Sequence, residues 1–173
     1  QAADSKIITN AHLINQGKFP VFSQGSGDFF FFPAEDAEKA ADWIVEIVTE
    51  RIPQKFGFDA IRDIQVLAPI YRGPAGVIAL NDRLQEKLNP AASNKSERRL
   101  FGTTFRLGDK VMQTQNNYDK DVYNGDIGFI QAMDMIEQTL TVDFEGRLVS
   151  FEWSEADQLT LAYVVTVHKA QGS

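Results

Sequence analysis

Between Ser5 and Gln16 the apolar residues Ile7, Ile8, Ala11 and Ile14 recur at helical spacing, with Ser5 as a cap and Gly17 as a stop. This predicts a short amphipathic helix. Asp28 to Pro33 holds four consecutive Phe residues between a Gly-Ser loop and a Pro, which predicts a buried strand. From Glu35 to Arg51 the face Ala37, Ala40, Ala41, Ile44, Ile47 and Val48 predicts a second helix, with acids in its first turn and Pro53 ending it. Ile64 to Ala68 reads as another buried strand. Pro74 then stands at the first position of a helix whose stripe is Val77, Leu80, Leu84 and Leu88. Strand, helix, strand, helix is the order of an α/β domain with parallel strands covered on both faces.

The pattern changes after Leu88. Asn89 to Gly102 reads as a polar linker, and beyond it the period becomes two. Short strands are predicted at Lys110 to Gln115, Ile127 to Ala132, Thr139 to Phe144 and Arg147 to Phe151, with Asn124-Gly125 and Glu145-Gly146 as turns. These form a small antiparallel barrel. Leu161 to Lys169 is apolar again and suits the α/β part, so the barrel is an insertion. The expected boundaries are 1–99, 100–158 and 159–173.

Composition narrows the chemistry. Among 173 residues there is no Cys and there are two His, His12 and His168, which excludes a disulfide framework and makes a protein-built transition-metal centre a poor expectation. No apolar run approaches the roughly 20 residues of a bilayer span, and Gln1-Ala2-Ala3-Asp4 is not a secretory n-region. A soluble, cytoplasmic protein is expected. Net charge is −7, yet Arg83 to Lys110 holds seven basic residues and three acids, a local surplus of +4 suited to phosphates. The chain opens without Met and stops just after a Gly, as a segment of a longer protein would.

Phosphate-loop, Gly-x-Gly-x-x-Gly, Gly-x-Ser-x-Gly and His-Glu-x-x-His signatures are absent. Three constellations remain. Ala68 to Pro74 places Arg72 and backbone amides between a strand and a helix, where open α/β sheets bind ligands and helix starts favour phosphate. Asn116-Asn117-Tyr118-Asp119 stands with Tyr123-Asn124-Gly125-Asp126. Thr166, His168, Lys169, Gln171 and Ser173 gather hydroxyl, imidazole, ammonium and amide groups within eight residues, a set suited to phosphate oxygens and sugars.

The string Thr166-Val167-His168-Lys169-Ala170-Gln171-Gly172-Ser173 resembles motif V of superfamily 1 DNA helicases, particularly the RecD-like branch. Leu67 to Gly73, Gly108-Asp109-Lys110-Val111-Met112-Gln113 and Asn116 to Asp119 are similar to the same branch, and Gln1-Ala2 resembles the tail of motif IV. The resemblance implies the second RecA-like (P-loop NTPase-like) motor domain, incomplete, interrupted by a small antiparallel SH3-like β-barrel. It implies part of an ATP-dependent DNA helicase moving 5′ to 3′. Single-stranded DNA would meet Thr166, His168, Lys169, Arg72, Asn116 and Asn117, and Gln1, Gln171, Gly172 and Ser173 would face the ATP cleft. The phosphate loop, Walker B acid, motif III and motif VI Arg are missing, so ATP and Mg2+ belong to the full-length parent and no catalytic residue or metal ligand is expected in this chain. Implied partners are the first motor domain of the same chain and subunits of a nuclease complex. The alternative is a protein-binding module, a small barrel on an α/β platform with no motor role.

Overall fold

The structure is a computed structural model that describes residues 4–171, in two compact units that divide between Glu35 and Asp36. In the first unit the expected helix forms as α1 (Lys6–Asn15) and ends before Gly17, whose φ of +71° lets the chain turn away. Its buried residue is Asn10, while Ile7 and Ile14 stay about half exposed. The apolar stripe is therefore not what seats the helix. Asn10 donates to the Val21 carbonyl and accepts from the Val21 N–H, each at 2.7 Å, and Asp28 accepts from the Lys6 N–H at 2.9 Å. The Phe-rich segment is not a strand and is not buried. Phe29 and Phe31 stack on Phe22 at 5.9 and 4.8 Å, and Phe31 and Phe32 remain exposed, because a β-run needs a neighbouring ladder that the described residues of this unit do not supply.

The second unit begins with α2 (Ala37–Glu46), capped by Asp36 accepting from the Lys39 N–H at 2.8 Å. Pro53 does not end this helical run. A π turn over Ile47–Arg51 leads into α3 (Ile52–Phe56), and Pro53 stands in the first turn of α3, where Pro is tolerated. Gly57, with φ +69°, is the actual stop. The strand β1 (Val66–Ala68) leads to α4 (Val77–Leu88), whose Leu80 and Leu84 are fully buried. Pro74 lies outside α4. The chain first turns at Gly73, and the N–H groups of Val77 and Ile78 bond the carbonyls of Ile70 and Tyr71 at 3.0 and 3.1 Å.

The segment expected to be a linker contributes β2 (Glu97–Leu100), which pairs with β3 (Thr103–Arg106) across Phe101-Gly102. Both turn residues have positive φ, 49° and 81°, the geometry of a tight two-residue hairpin. Next come β4 (Lys110–Gln113), β5 (Ile127–Asp134), β6 (Thr139–Phe144), β7 (Arg147–Glu152) and β8 (Leu159–Leu161), in one antiparallel sheet of order β7-β6-β5-β4-β8. Leu140, Val142, Phe144, Val149 and Phe151 form its buried face, as the alternation predicted. The ladder is open: among the described residues β7 and β8 are its edges, and no pairing closes it.

The chain then leaves the sheet through Ala162 and Tyr163, and β9 (Val164–Thr166) pairs in parallel with β1, Val66 opposite Val164 and Ala68 opposite Thr166. Asn81 of α4 donates to the Val164 carbonyl at 2.9 Å and accepts from its N–H at 3.0 Å, taking both bonds that a neighbouring strand would take. A short helix, α5 (Val167–Ala170), completes the described chain.

Candidate nucleic-acid interface

Because β1 and β9 run parallel and in register, the segments that follow them emerge at the same edge of the sheet. One is the loop bearing Arg72 and the other is α5, so two of the three constellations meet there. Arg72 is exposed. The amides at the start of α4 are not open to an anion, since Ile70 and Tyr71 carbonyls occupy two of them. Thr166 is buried, and its hydroxyl accepts from the Lys169 N–H at 3.1 Å, capping α5. Its side chain positions the helix. His168 is exposed and is not a core imidazole. Gln171 is exposed at the end of α5. Gln1, Gly172 and Ser173 lie outside the described residues.

Lys169 reaches the third constellation. Its ammonium donates to Asn124 Oδ1 at 2.6 Å, joining α5 to the turn before β5. Within that loop Asn116 is exposed and accepts from the Asn124 N–H at 3.0 Å. Asn117 is engaged internally: it exchanges backbone bonds with Val122, donates to Gln158 at 3.0 Å and accepts from the Lys120 N–H at 3.1 Å. Tyr118 is 75% exposed and meets Tyr123 edge-on at 5.9 Å. Tyr71, 56% exposed, stands on the Arg72 loop. Tyr71, Tyr118 and Tyr123 stand in the sequence constellations with no role assigned, and their signal there is an aromatic ring in a polar, turn-rich stretch. A cavity of about 130 Å³ lined by Tyr71, Thr114, Thr166 and Lys169 lies where the segments meet. Tyr71 and Thr160 also border an open groove of about 800 Å³ between α4 and the β2–β3 hairpin.

The basic surplus of Arg83 to Lys110 is divided between buried and exposed side chains. Arg106 is buried and bonded to Glu97 at 2.7 Å and Glu86 at 3.2 Å; burial lowers its pKa, but the two carboxylates outweigh that and raise it. Arg83 pairs with Asp42, Lys95 donates to Asn89, and Arg98 lies over the Trp153 ring. Lys110 is buried with its ammonium on the Ile64 carbonyl, and burial lowers its pKa. Lys87 and Arg99 remain exposed.

A buried polar cluster joins the two layers of this unit. Asp109, fully buried, accepts at Oδ1 from Asn89 and the Tyr163 hydroxyl, both at 2.8 Å, and at Oδ2 from Gln85 and the Arg106 N–H, both at 2.7 Å. Burial pushes the Asp109 carboxyl up and its four donors hold it down, the net direction being upward. The Tyr163 hydroxyl is pushed far up by burial and by the neighbouring carboxylate, so it stays protonated and donates. Among the described residues no group of His, Asp and Glu could hold a metal ion, and no helix is long and apolar enough to cross a membrane.

Residues 80–144 match the family described as the ATP-dependent RecD-like DNA helicase SH3 domain. The whole chain is 39% identical to the ATP-dependent RecD2 DNA helicase of Deinococcus radiodurans, spanning 22% of that curated relative's length. Among solved structures, the chain is similar to Pif1 from Bacteroides in complex with ADP-AlF3 and ssDNA, with TM-score 0.47, 18% identity, and 84% of this chain and 42% of that one covered. It is also similar to unliganded Pif1 from Bacteroides sp, with TM-score 0.41, 24% identity, and 62% and 44% covered. The chain is thus similar to the RecD-like DNA helicases, through their SH3 domain in its centre and through a RecD2 helicase along its whole length.

Proposed function

We propose that this chain is part of an ATP-dependent DNA helicase of 5′ to 3′ polarity, in which it contacts single-stranded DNA and forms one wall of the ATP cleft. The observation that carries the reading is the meeting of Arg72, His168, Lys169 and the Asn116–Asn124 loop at one end of the β1–β9 pair. Exposed cations and planar rings on one edge suit a strand whose phosphates are held while its bases stack. Arg72, His168, Lys169 and Asn116 are the contact residues, with Tyr71 and Tyr118 as stacking surfaces. Thr166 and Asn117 hold these groups in place through the bonds described above.

In this reading β1, α4 and β9 are part of the second RecA-like motor domain, and the five-stranded sheet is its SH3-like barrel. Gln1, Gln171, Gly172 and Ser173 face the nucleotide. The residues of this chain do not fit a triphosphate and Mg2+ by themselves: the sequence has no phosphate loop, and no acid cluster suited to a metal occurs among the described residues. No hydrolytic step is therefore assigned to them. ATP, Mg2+ and the hydrolytic groups come from the first motor domain of the same protein, and subunits of a nuclease complex are further partners, in the cytoplasm. Fluorescence anisotropy with a labelled oligo-dT tests the reading. Binding should weaken steeply as salt rises and weaken further in His168→Ala; affinity indifferent to both would refute it.

A further inference from the structure

The Gly108-Asp109-Lys110 string has no part in the contacts proposed above, yet it carries a fully buried carboxylate that accepts four hydrogen bonds. Asp109 opens the antiparallel sheet at the head of β4, and its four donors come from elsewhere: Gln85 and Asn89 from α4, Arg106 from the end of β3, and Tyr163 from the segment that carries the chain back to β9. Adjoining bonds follow the same seam. Lys110 donates to the Ile64 carbonyl just before β1 at 3.1 Å, and its own carbonyl accepts from the Ala162 N–H at 2.8 Å. The points where the chain enters and leaves the sheet are thus fastened to each other, to α4 and to the approach to β1.

A seam of aliphatic contacts resists separation but tolerates sliding, since dispersion has no preferred direction. Four hydrogen bonds converging on one carboxylate fix an orientation, and burial makes each broken bond costly. Gly108 serves the same turn: with φ +92° it turns the backbone so that the Asp109 N–H reaches the Arg106 carbonyl at 2.9 Å while the carboxylate points inward.

We propose that Asp109 is a positioning residue, which with Tyr163 locks the antiparallel sheet to the β1–α4–β9 layer and so holds the Asn116–Asn124 loop in register with α5. It touches no ligand itself. The half of the proposal that concerns DNA rests on the function proposed above; the half that concerns the joint does not.

The test uses full-length protein carrying nitroxide labels at residues 38, on α2, and 145, at the β6–β7 turn, with Tyr163→Phe and Asp109→Asn as variants. Tyr163→Phe removes one hydroxyl and keeps the ring, so it stays folded even where Asp109→Asn does not. The wild type should give a narrow label-to-label distance distribution and Tyr163→Phe a broad one. Affinity for oligo-dT should fall about fivefold or more, with DNA-independent ATP hydrolysis unchanged. A distribution that stays as narrow in a folded Tyr163→Phe protein overturns the joint. A broadened distribution with oligo-dT affinity unaltered overturns its role in DNA contact. Wild-type protein with no affinity for oligo-dT instead removes the proposed function, and the distance measurement still decides the joint.

Discussion

Lys169 and Asn124, 45 residues apart, are joined by a 2.6 Å hydrogen bond that ties α5 to the turn leading into β5. The ammonium has three donor positions, so Asn124 holds the side chain in place while leaving donors for a phosphate. Lys169→Ala should lower the slope of log affinity for oligo-dT against log salt by about 0.7, the value for one phosphate contact on a single strand. Asn124→Ala, which keeps the charge, should leave that slope as it is. Anisotropy titrations across salt concentrations check both, and equal slopes for wild type and Lys169→Ala would remove the phosphate contact.

His168 and Thr166 should separate cleanly. His168 is exposed, so His168→Ala should change folding stability by no more than about 0.5 kcal/mol while reducing DNA-stimulated ATP hydrolysis in the full-length protein. Thr166→Ala loses the cap of α5 and should cost about 1 kcal/mol. Urea unfolding together with ATPase assays checks the pair; His168→Ala destabilised as strongly as Thr166→Ala would return His168 to a packing role.

In the second unit, Gly128 and Gly76 have no room for a methyl group. A Cβ at Gly128 would stand 2.5 Å from Val142 Cγ1 and 2.8 Å from the Asp143 carbonyl oxygen, so Gly128→Ala should destabilise the sheet by about 1–3 kcal/mol. At Gly76 it would stand 2.4 Å from the Arg72 carbonyl oxygen, and Gly76→Ala should displace the Arg72 loop and weaken DNA binding as well. Thermal melts and oligo-dT titrations distinguish them: Gly128→Ala lowers the melting temperature, and Gly76→Ala lowers both melting temperature and affinity.

The Asp109 pKa is raised by burial from its ordinary 3.8, so the folded state binds the proton more tightly than the unfolded chain does. The stability contributed by that proton is complete below pH 3.8 and is lost as pH rises through the raised folded value. Lys110 acts oppositely. Burial lowers its pKa from 10.5, so its contribution is complete above pH 10.5 and is lost as pH falls through the lowered value. Denaturant midpoints measured from acid to alkaline pH should show Asp109→Asn losing the acid-side slope and Lys110→Met the alkaline one. Asp109→Asn should also cost about 3 kcal/mol at neutral pH, because an amide NH2 would then face donors.

The 173-residue chain by itself should hydrolyse no ATP, with or without oligo-dT, because the sequence lacks the loop and Lys that hold β- and γ-phosphates for attack. Phosphate release above a protein-free control, lost on heating, would contradict this.

By itself the sequence determined the elements whose periodicity is local: the α4 stripe of Leu80 and Leu84, the β6 alternation of Leu140, Val142 and Phe144, and the turn at Glu145-Gly146. It read the return to the α/β layer from the apolar run beginning at Leu161, but Leu159–Leu161 still pairs with β4 in the antiparallel sheet, and the strand that joins β1 begins at Val164. The Phe29–Phe32 run misled, since hydrophobicity invites burial but a strand also needs a partner ladder, which only the tertiary arrangement supplies or withholds. Charge misled similarly. Arg106 and Lys110 count as surface cations in any sequence sum, and only the fold brings Glu97 to one and the Ile64 carbonyl to the other. The candidate site divides in the same way: the residue types of Thr166, His168 and Lys169 were legible as polar groups beside an apolar strand. Which of them points outward was decided by helix capping and by a bond to Asn124, interactions set by the three-dimensional path of the chain and invisible in its order.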